Sequence, residues 1–147
     1  MPLSGSTIYL VSCVSQKQDQ ESPARDLYVS DWFHKARRYA EESGCPWFIL
    51  SAEYGLVAPD QVVAPYQRTL NRMAVAERRA WANRVDRQLT EAVPELAAVV
   101  FLAGERYREF LAEHLAKRSV AVSVPMEGLQ IGKQKRWLLQ HSSQLGV

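Results

Sequence analysis

The feature that most constrains this chain is the alternation of short apolar runs with longer amphipathic stretches. Residues 7–13 (TIYLVSC), 47–50 (WFIL), 96–103 (LAAVVFLA) and 119–124 (SVAVSV) are mostly apolar, and the first is rich in β-branched side chains. Runs of that length and composition read as buried strands. Between them lie helical patterns. Ser30 or Asp31 can cap a helix reaching about Ser43, with Trp32, Phe33, Ala36, Tyr39 and Ala40 on one face. Gly44 stops it and Pro46 opens the second strand. A long helix starting at Asn71 or Arg72 and running through Ala92 buries Trp81, Val85 and Leu89. After Gly104 a third helix aligns Tyr107, Phe110, Leu111, His114 and Leu115, and residues 133–141 form the last one. Residues 14–29 read as a long ordered loop. Residues 57–72, with Pro59 and Pro65, read as an extended excursion that includes a short strand at 61–64.

Strand–helix repetition implies an α/β fold: three layers, α/β/α, around a mostly parallel four-stranded sheet. In such a sheet every strand ends on the same side, and ligands bind along that carboxyl edge. The junctions expected there carry Ser15 and Lys17, then residues 51–54, then Gly104 to Arg106, then residues 125–128. Their carboxylates are Asp26, Glu53, Asp60 and Glu127. The segment Ser51-Ala52-Glu53-Tyr54-Gly55-Leu56 leaves its strand carrying a hydroxyl, a carboxylate and a phenol, and Gly55 permits a tight turn. It is either an active-site loop or a turn whose Tyr54 caps the core.

Bulk properties narrow the classes. With 147 residues the chain is expected to form one domain, residues 1–147, with a core that needs no staples. No apolar run approaches the roughly 20 residues of a membrane helix, and nothing resembles a signal peptide, so a cytoplasmic protein is expected. Cys13 and Cys45 are isolated thiols, which suggests neither a zinc site nor a disulfide framework. The net charge is only +2, yet between Gln61 and Thr90 six arginines face just Glu77 and Asp86. After Glu127 come Lys133, Lys135 and Arg136 with no acid. Clustered cations attract polyanions whatever the total charge; the plain alternative is a solvated helix face.

Several chemistries are poorly supported. The chain has no glycine-rich dinucleotide fingerprint, no phosphate loop of the GxxxxGK[ST] type and no G-x-S-x-G elbow. Its histidines are dispersed, and His114 on an apolar helix face reads as a core residue. No metal and no cofactor are expected. Carboxylate chemistry among tyrosines, serines and cations remains.

A longer pattern is present as well. It comprises Ser12-Cys13 with Lys17, residues 24–30 (ARDLYVS) with Phe33, and residues 49–56 (ILSAEYGL). It continues through Pro59-Asp60, Pro65-Tyr66 and Thr69-Leu70, then residues 102–104 (LAG) with Tyr107, and residues 125–132 (PMEGLQIG). In this pattern the chain resembles the YaaA-like small proteins, whose domain is similar to the uracil-DNA glycosylase fold. The resemblance spans nearly the whole chain and is most specific in the ILSAxYGL segment. It implies a DNA glycosylase that removes a hypermodified base, such as a glucosylated cytosine, in defence against phage, with double-stranded DNA as partner. Two departures stand out. Glu53 occupies a position usually held by lysine, and Gln67 one often held by aspartate. The GxDP and HPS loops of uracil-DNA glycosylases are absent, so their catalytic roles do not transfer.

Cleaving an N-glycosidic bond builds positive charge on the deoxyribose, which a carboxylate beneath the sugar stabilises while orienting water. Asp26 is the first candidate for that role and Glu53 the second. Tyr28, Tyr54 and Tyr66 are candidates for stacking on the extruded base. Ser15, Lys17, Ser51, Asp60, Thr69 and Glu127 are further substrate-binding candidates. Arg68, Arg106, Lys133, Lys135 and Arg136 are candidates for gripping the DNA backbone. Each has a plainer reading: Asp26 as a loop cap, Tyr28 as core, the arginines as solvent-facing. A non-catalytic nucleic-acid or nucleotide binding module and a nucleoside hydrolase or base transferase are the alternative functions.

Overall fold

The computed structural model describes residues 5–142. A five-stranded sheet is built from β1 (Ser6–Ser12), β3 (Trp47–Ser51), β4 (Gly55–Val57), β6 (Leu96–Leu102) and β7 (Ala121–Ser123). A separate two-stranded ribbon joins β2 (Ser22–Pro23) to β5 (Val62–Val63). The helices are α1 (Ala24–Leu27), α2 (Asp31–Glu42), α3 (Val75–Ala92), α4 (Glu105–Lys117) and α5 (Ile131–Gln140), with a single 3₁₀ turn at Leu70–Arg72.

The main sheet runs in the order β4-β3-β1-β6-β7. β1 pairs in parallel with β3 and β6, and β6 with β7. The four expected strands are therefore parallel to one another, and the fifth is an antiparallel addition at the edge. That addition is the ILSAEYGL segment folding back as a hairpin, with Ser51 opposite Gly55 and Ile49 opposite Val57. Gly55 takes φ +78°, and a Cβ there would collide with Gln88 Oε1. Glycine is the residue that accepts both conditions at little cost.

Burial follows the sequence patterns. Ser30 caps α2 by accepting from Phe33 N at 3.0 Å, worth about 1 kcal/mol. Trp32, Phe33, Ala36 and Ala40 then face inward. α2 packs on β1 and against α5, while α3 packs against α4 and β4, giving a helical layer on each face of the sheet. α3 also anchors the hairpin: Trp81 Nε1 donates to Ser51 O at 2.9 Å, Arg84 to Glu53 O at 2.8 Å, and Leu56 N to Gln88 Oε1 at 2.8 Å.

The chain leaves β1 for β3 and β4 on one side, then returns through α3 to β6 and β7 on the other. β1 and β6 thus flank a topological switch point, where adjacent loops diverge and leave a crevice. Among the described residues no helix is long and apolar enough to cross a membrane.

Candidate functional site

Two segments without long elements of their own close over the carboxyl edge of β1. The first is residues 13–18, which zip onto residues 27–29 through a Lys17–Tyr28 bridge, Gln18 N to Leu27 O at 2.8 Å and Val29 N to Gln16 O at 3.0 Å. The second is the excursion 58–72. Its β5 pairs with β2, and phenols tie down the rest. Tyr54 Oη donates to Ala64 O at 3.0 Å, Ser51 Oγ donates to Tyr66 Oη at 2.9 Å, and Tyr66 Oη lies 2.6 Å from Tyr28 Oη. Leu70 N donates to Tyr107 Oη at 3.3 Å. Each such bond contributes about 0.5–1.5 kcal/mol net, so the excursion is fixed over the edge by tyrosines reaching across the fold.

Between these segments lies a cavity of about 510 Å³. Ser15, Lys17 and the floor thiol of Cys13 come from the first segment, Gln67, Arg68, Thr69, Asn71 and Arg72 from the second, and Tyr107 from α4. No carboxylate lines it among the described residues. Lys17 Nζ sits 4.4 Å from the Tyr66 ring centroid and 5.7 Å from that of Tyr28. Its hydrogen bond is to Ser15 O at 3.5 Å, and burial lowers its pKa from the usual lysine value. Lys17 and Arg72 form no ion pair among the described residues. Arg68 Nε lies 3.9 Å from Glu53 Oε1.

Two further cavities adjoin this one through Ser15. One, of about 460 Å³, is lined by Ser12, Ser30, Asp31, Trp32, Gln134 and Lys135 among others. Trp32 Nε1 donates to Gln134 Oε1 at 2.8 Å and pins α5 to α2. Lys35 Nζ donates to Asp31 Oδ1 at 2.7 Å, and that bond, with Lys135 nearby, holds the Asp31 carboxyl below the usual range. The other, of about 380 Å³, contains Lys17, Asp19, Tyr66 and Gln67.

Burial raises the phenol pKa values of Tyr28, Tyr66 and Tyr107 far above the ordinary tyrosine value. All three stay protonated at neutral pH and act as hydrogen-bonding groups, not as bases. Cys13 Sγ donates to Tyr107 Oη at 3.5 Å, which extends the hydroxyl network to the cavity floor.

Of the residues singled out in the sequence, Ser15, Lys17, Arg68 and Thr69 meet in the cationic cavity, with Tyr66 on its open side. Lys135 lines the serine-rich one. The two leading carboxylates lie elsewhere. Asp26 sits in α1, which turns its side chain toward Arg37 Nη1 at 3.2 Å and Arg25 Nε at 3.9 Å. Glu53, in the hairpin turn, reaches the site only through Arg68. Neither lines a described cavity. Tyr28 is fully buried and Ser51 likewise, so both support Tyr66 from within the core. Tyr54 is spent on Ala64, and Asp60 is exposed at a turn. Glu127 lies beyond β7, 3.7 Å from Arg108. Arg106, Lys133 and Arg136 are exposed and line none of these cavities. Asn71, Arg72, Gln67, Asp31 and Gln134 complete the site. Arg72 belonged to the visible arginine cluster, Gln67 stood out as a departure from the YaaA-like pattern and Asp31 and Asn71 as helix starts, while no local pattern marks Gln134.

A model of a family of unknown function, DUF6884, matches residues 8–140. No curated protein and no solved structure matches the chain.

Proposed function

We propose that this chain, which belongs to the DUF6884 family, binds nucleic acid at the carboxyl edge of its sheet and removes a modified base from an extruded nucleotide. The observation that carries the reading is the cavity holding Lys17, Arg68 and Arg72 with no carboxylate among the described residues that line it. A pocket of that size and charge suits one phosphate-bearing nucleotide, and its aromatic and hydroxyl groups suit a base taken out of the stack. Base removal as the reaction is supported by the resemblance of the 49–56 hairpin and its companion motifs to YaaA-like proteins.

The reaction breaks the C1′–N bond. Water supplies the new C1′–O bond, and the base departs with the bonding electrons and takes up a proton. In this reading Lys17 and Ser15 stabilise the departing base, while Arg68, Arg72 and Asn71 of the same cavity hold phosphate. Asp26 and Glu53 are not assigned the carboxylate role, because both lie outside the cavities. Asp31, held ionised by Lys35 across the Ser15 ridge, is the carboxylate to test instead.

Duplex DNAs carrying modified bases, incubated with protein and then alkali, are expected to show strand breaks, and mass spectrometry is expected to find free base. Asp31→Asn is expected to lower the rate. The unpaired cations also favour a second reading, binding without cleavage. Salt-sensitive binding that leaves every DNA intact selects that one, and DNA that is neither bound nor cut overturns both.

A further inference from the structure

On the premise that base removal is the reaction, we propose that Lys17 captures the abasic product as an imine. The Nζ of Lys17 adds to C1′ of the ring-opened deoxyribose. The carbonyl oxygen leaves as water, a C1′–N double bond forms, and addition of water later reverses the step and frees the amine. No oxidant or reductant is consumed.

Placement supports this first. Lys17 lines both the cationic cavity and the cavity open to solvent beside it, so its amine stands where a strand would enter. It is also held in place, because its backbone bridges Tyr28 while Nζ rests over the Tyr66 ring. That ring is itself fixed by the Tyr28 and Ser51 hydroxyls. The neighbouring cations cannot substitute. Arg68 and Arg72 are guanidinium groups that do not lose their proton in proteins. Lys135, in the adjoining cavity, is engaged by the Asp31 carboxylate, with Nζ 3.5 Å from Oδ2. Lys17 has no carboxylate partner among the described residues. Burial further raises the share of free amine, which is the form that adds to a carbonyl. The arginines beside it are set to hold the phosphates flanking an abasic sugar while the imine persists.

The test uses the full chain and a duplex oligonucleotide with a preformed abasic site, with cyanoborohydride to reduce any imine to a stable amine. A one-to-one covalent complex is expected on a denaturing gel, with its peptide mapping to Lys17. Lys17→Arg is expected to lower its yield about tenfold or more, since a guanidinium offers no free amine, while the unfolding midpoint stays unchanged. Lys117→Arg, on the exposed end of α4, is expected to leave the yield as it was. Yield is expected to rise with pH as the amine loses its proton. No complex, a complex mapping to other lysines, or an undiminished complex in Lys17→Arg overturns the proposal. Base release is scored separately. Release without a covalent complex sinks capture alone, whereas capture without release from any modified DNA sinks base removal and leaves capture standing.

Discussion

Removing Arg72 tests the cationic cavity most directly. Lys17, Arg68 and Arg72 line it, and a duplex that seats its phosphates on the two arginines releases about 0.9 counterion for each phosphate neutralised, giving a log–log salt slope of about −1.8. A fourfold rise in monovalent salt then weakens binding about 12-fold by the same relation. Arg72→Gln removes one contact, so the slope is expected to fall to about −0.9 and the loss over that salt range to about 3.5-fold. Arg72 follows the buried Leu70 and makes no ion pair among the described residues, so its replacement leaves no carboxylate stranded. Arg38→Gln is the control, since Arg38 pairs with Glu42 on the outer face of α2 and lines none of the cavities at the carboxyl edge. Fluorescence anisotropy of a labelled duplex across a salt series measures all three proteins. A slope unchanged by Arg72→Gln, or lowered equally by Arg38→Gln, refutes the assignment of this cavity to phosphate.

The carboxylates give an opposite sign. Glu53→Gln frees Arg68 from its neighbour at 3.9 Å, and is expected to tighten DNA binding by about the 0.2–1 kcal/mol of an exposed pair, while Asp26→Asn leaves binding and base release unchanged; anisotropy and the alkali assay check both. Tyr66→Phe removes the partner of the fully buried Tyr28 hydroxyl and the acceptor for Ser51. It is expected to cost about 1–3 kcal/mol in urea denaturation, more than Tyr28→Phe, which leaves the Ser51–Tyr66 bond in place. Alkaline pH bears on the same network. Burial keeps Tyr28 and Tyr66 protonated in the folded chain where unfolded phenols ionise. The native state then binds more protons, so stability is expected to fall as pH rises past about 10. Urea midpoints across that range should show the fall, and Tyr66→Phe should flatten it.

The sheet was legible because its signal is local and strong. The apolar runs became β1, β3, β6 and β7, and Ser30, Trp32, Phe33 and Ala36 set α2 where periodicity put it. The hairpin was half visible. Gly55 announced a tight turn, but three residues, Gly55–Val57, are too few for a strand pattern, and only the register against β3 reveals β4. Likewise, four helical residues at Ala24–Leu27 lie below the length at which periodicity speaks.

Site membership was harder, and for a definite reason. Convergence of strand ends was correctly expected, yet it places a residue only to within a loop, not a side chain within a cavity. Asp26 follows the loop from the central strand, as an acid serving that edge should. One turn of helix then directs it to Arg37. Asp31, five residues on, sits at the first turn of α2 beside the serine-rich cavity, where it reads in sequence as a capping residue. Between them the chain leaves α1 and runs through extended backbone at Tyr28 and Ser30 before α2 begins, a change of direction that sequence spacing alone does not define. The excursion 58–72 poses the same problem on a larger scale. Its position depends on Tyr66 meeting Tyr28 and Ser51, and on Tyr107 meeting Leu70, contacts between residues far apart in the chain. Phenols that look like stacking platforms in sequence instead secure the segment that brings Arg68, Thr69 and Arg72 over the crevice. That division of labour makes Tyr66 the residue where fold and site meet: its hydroxyl fixes the excursion while its ring carries Lys17.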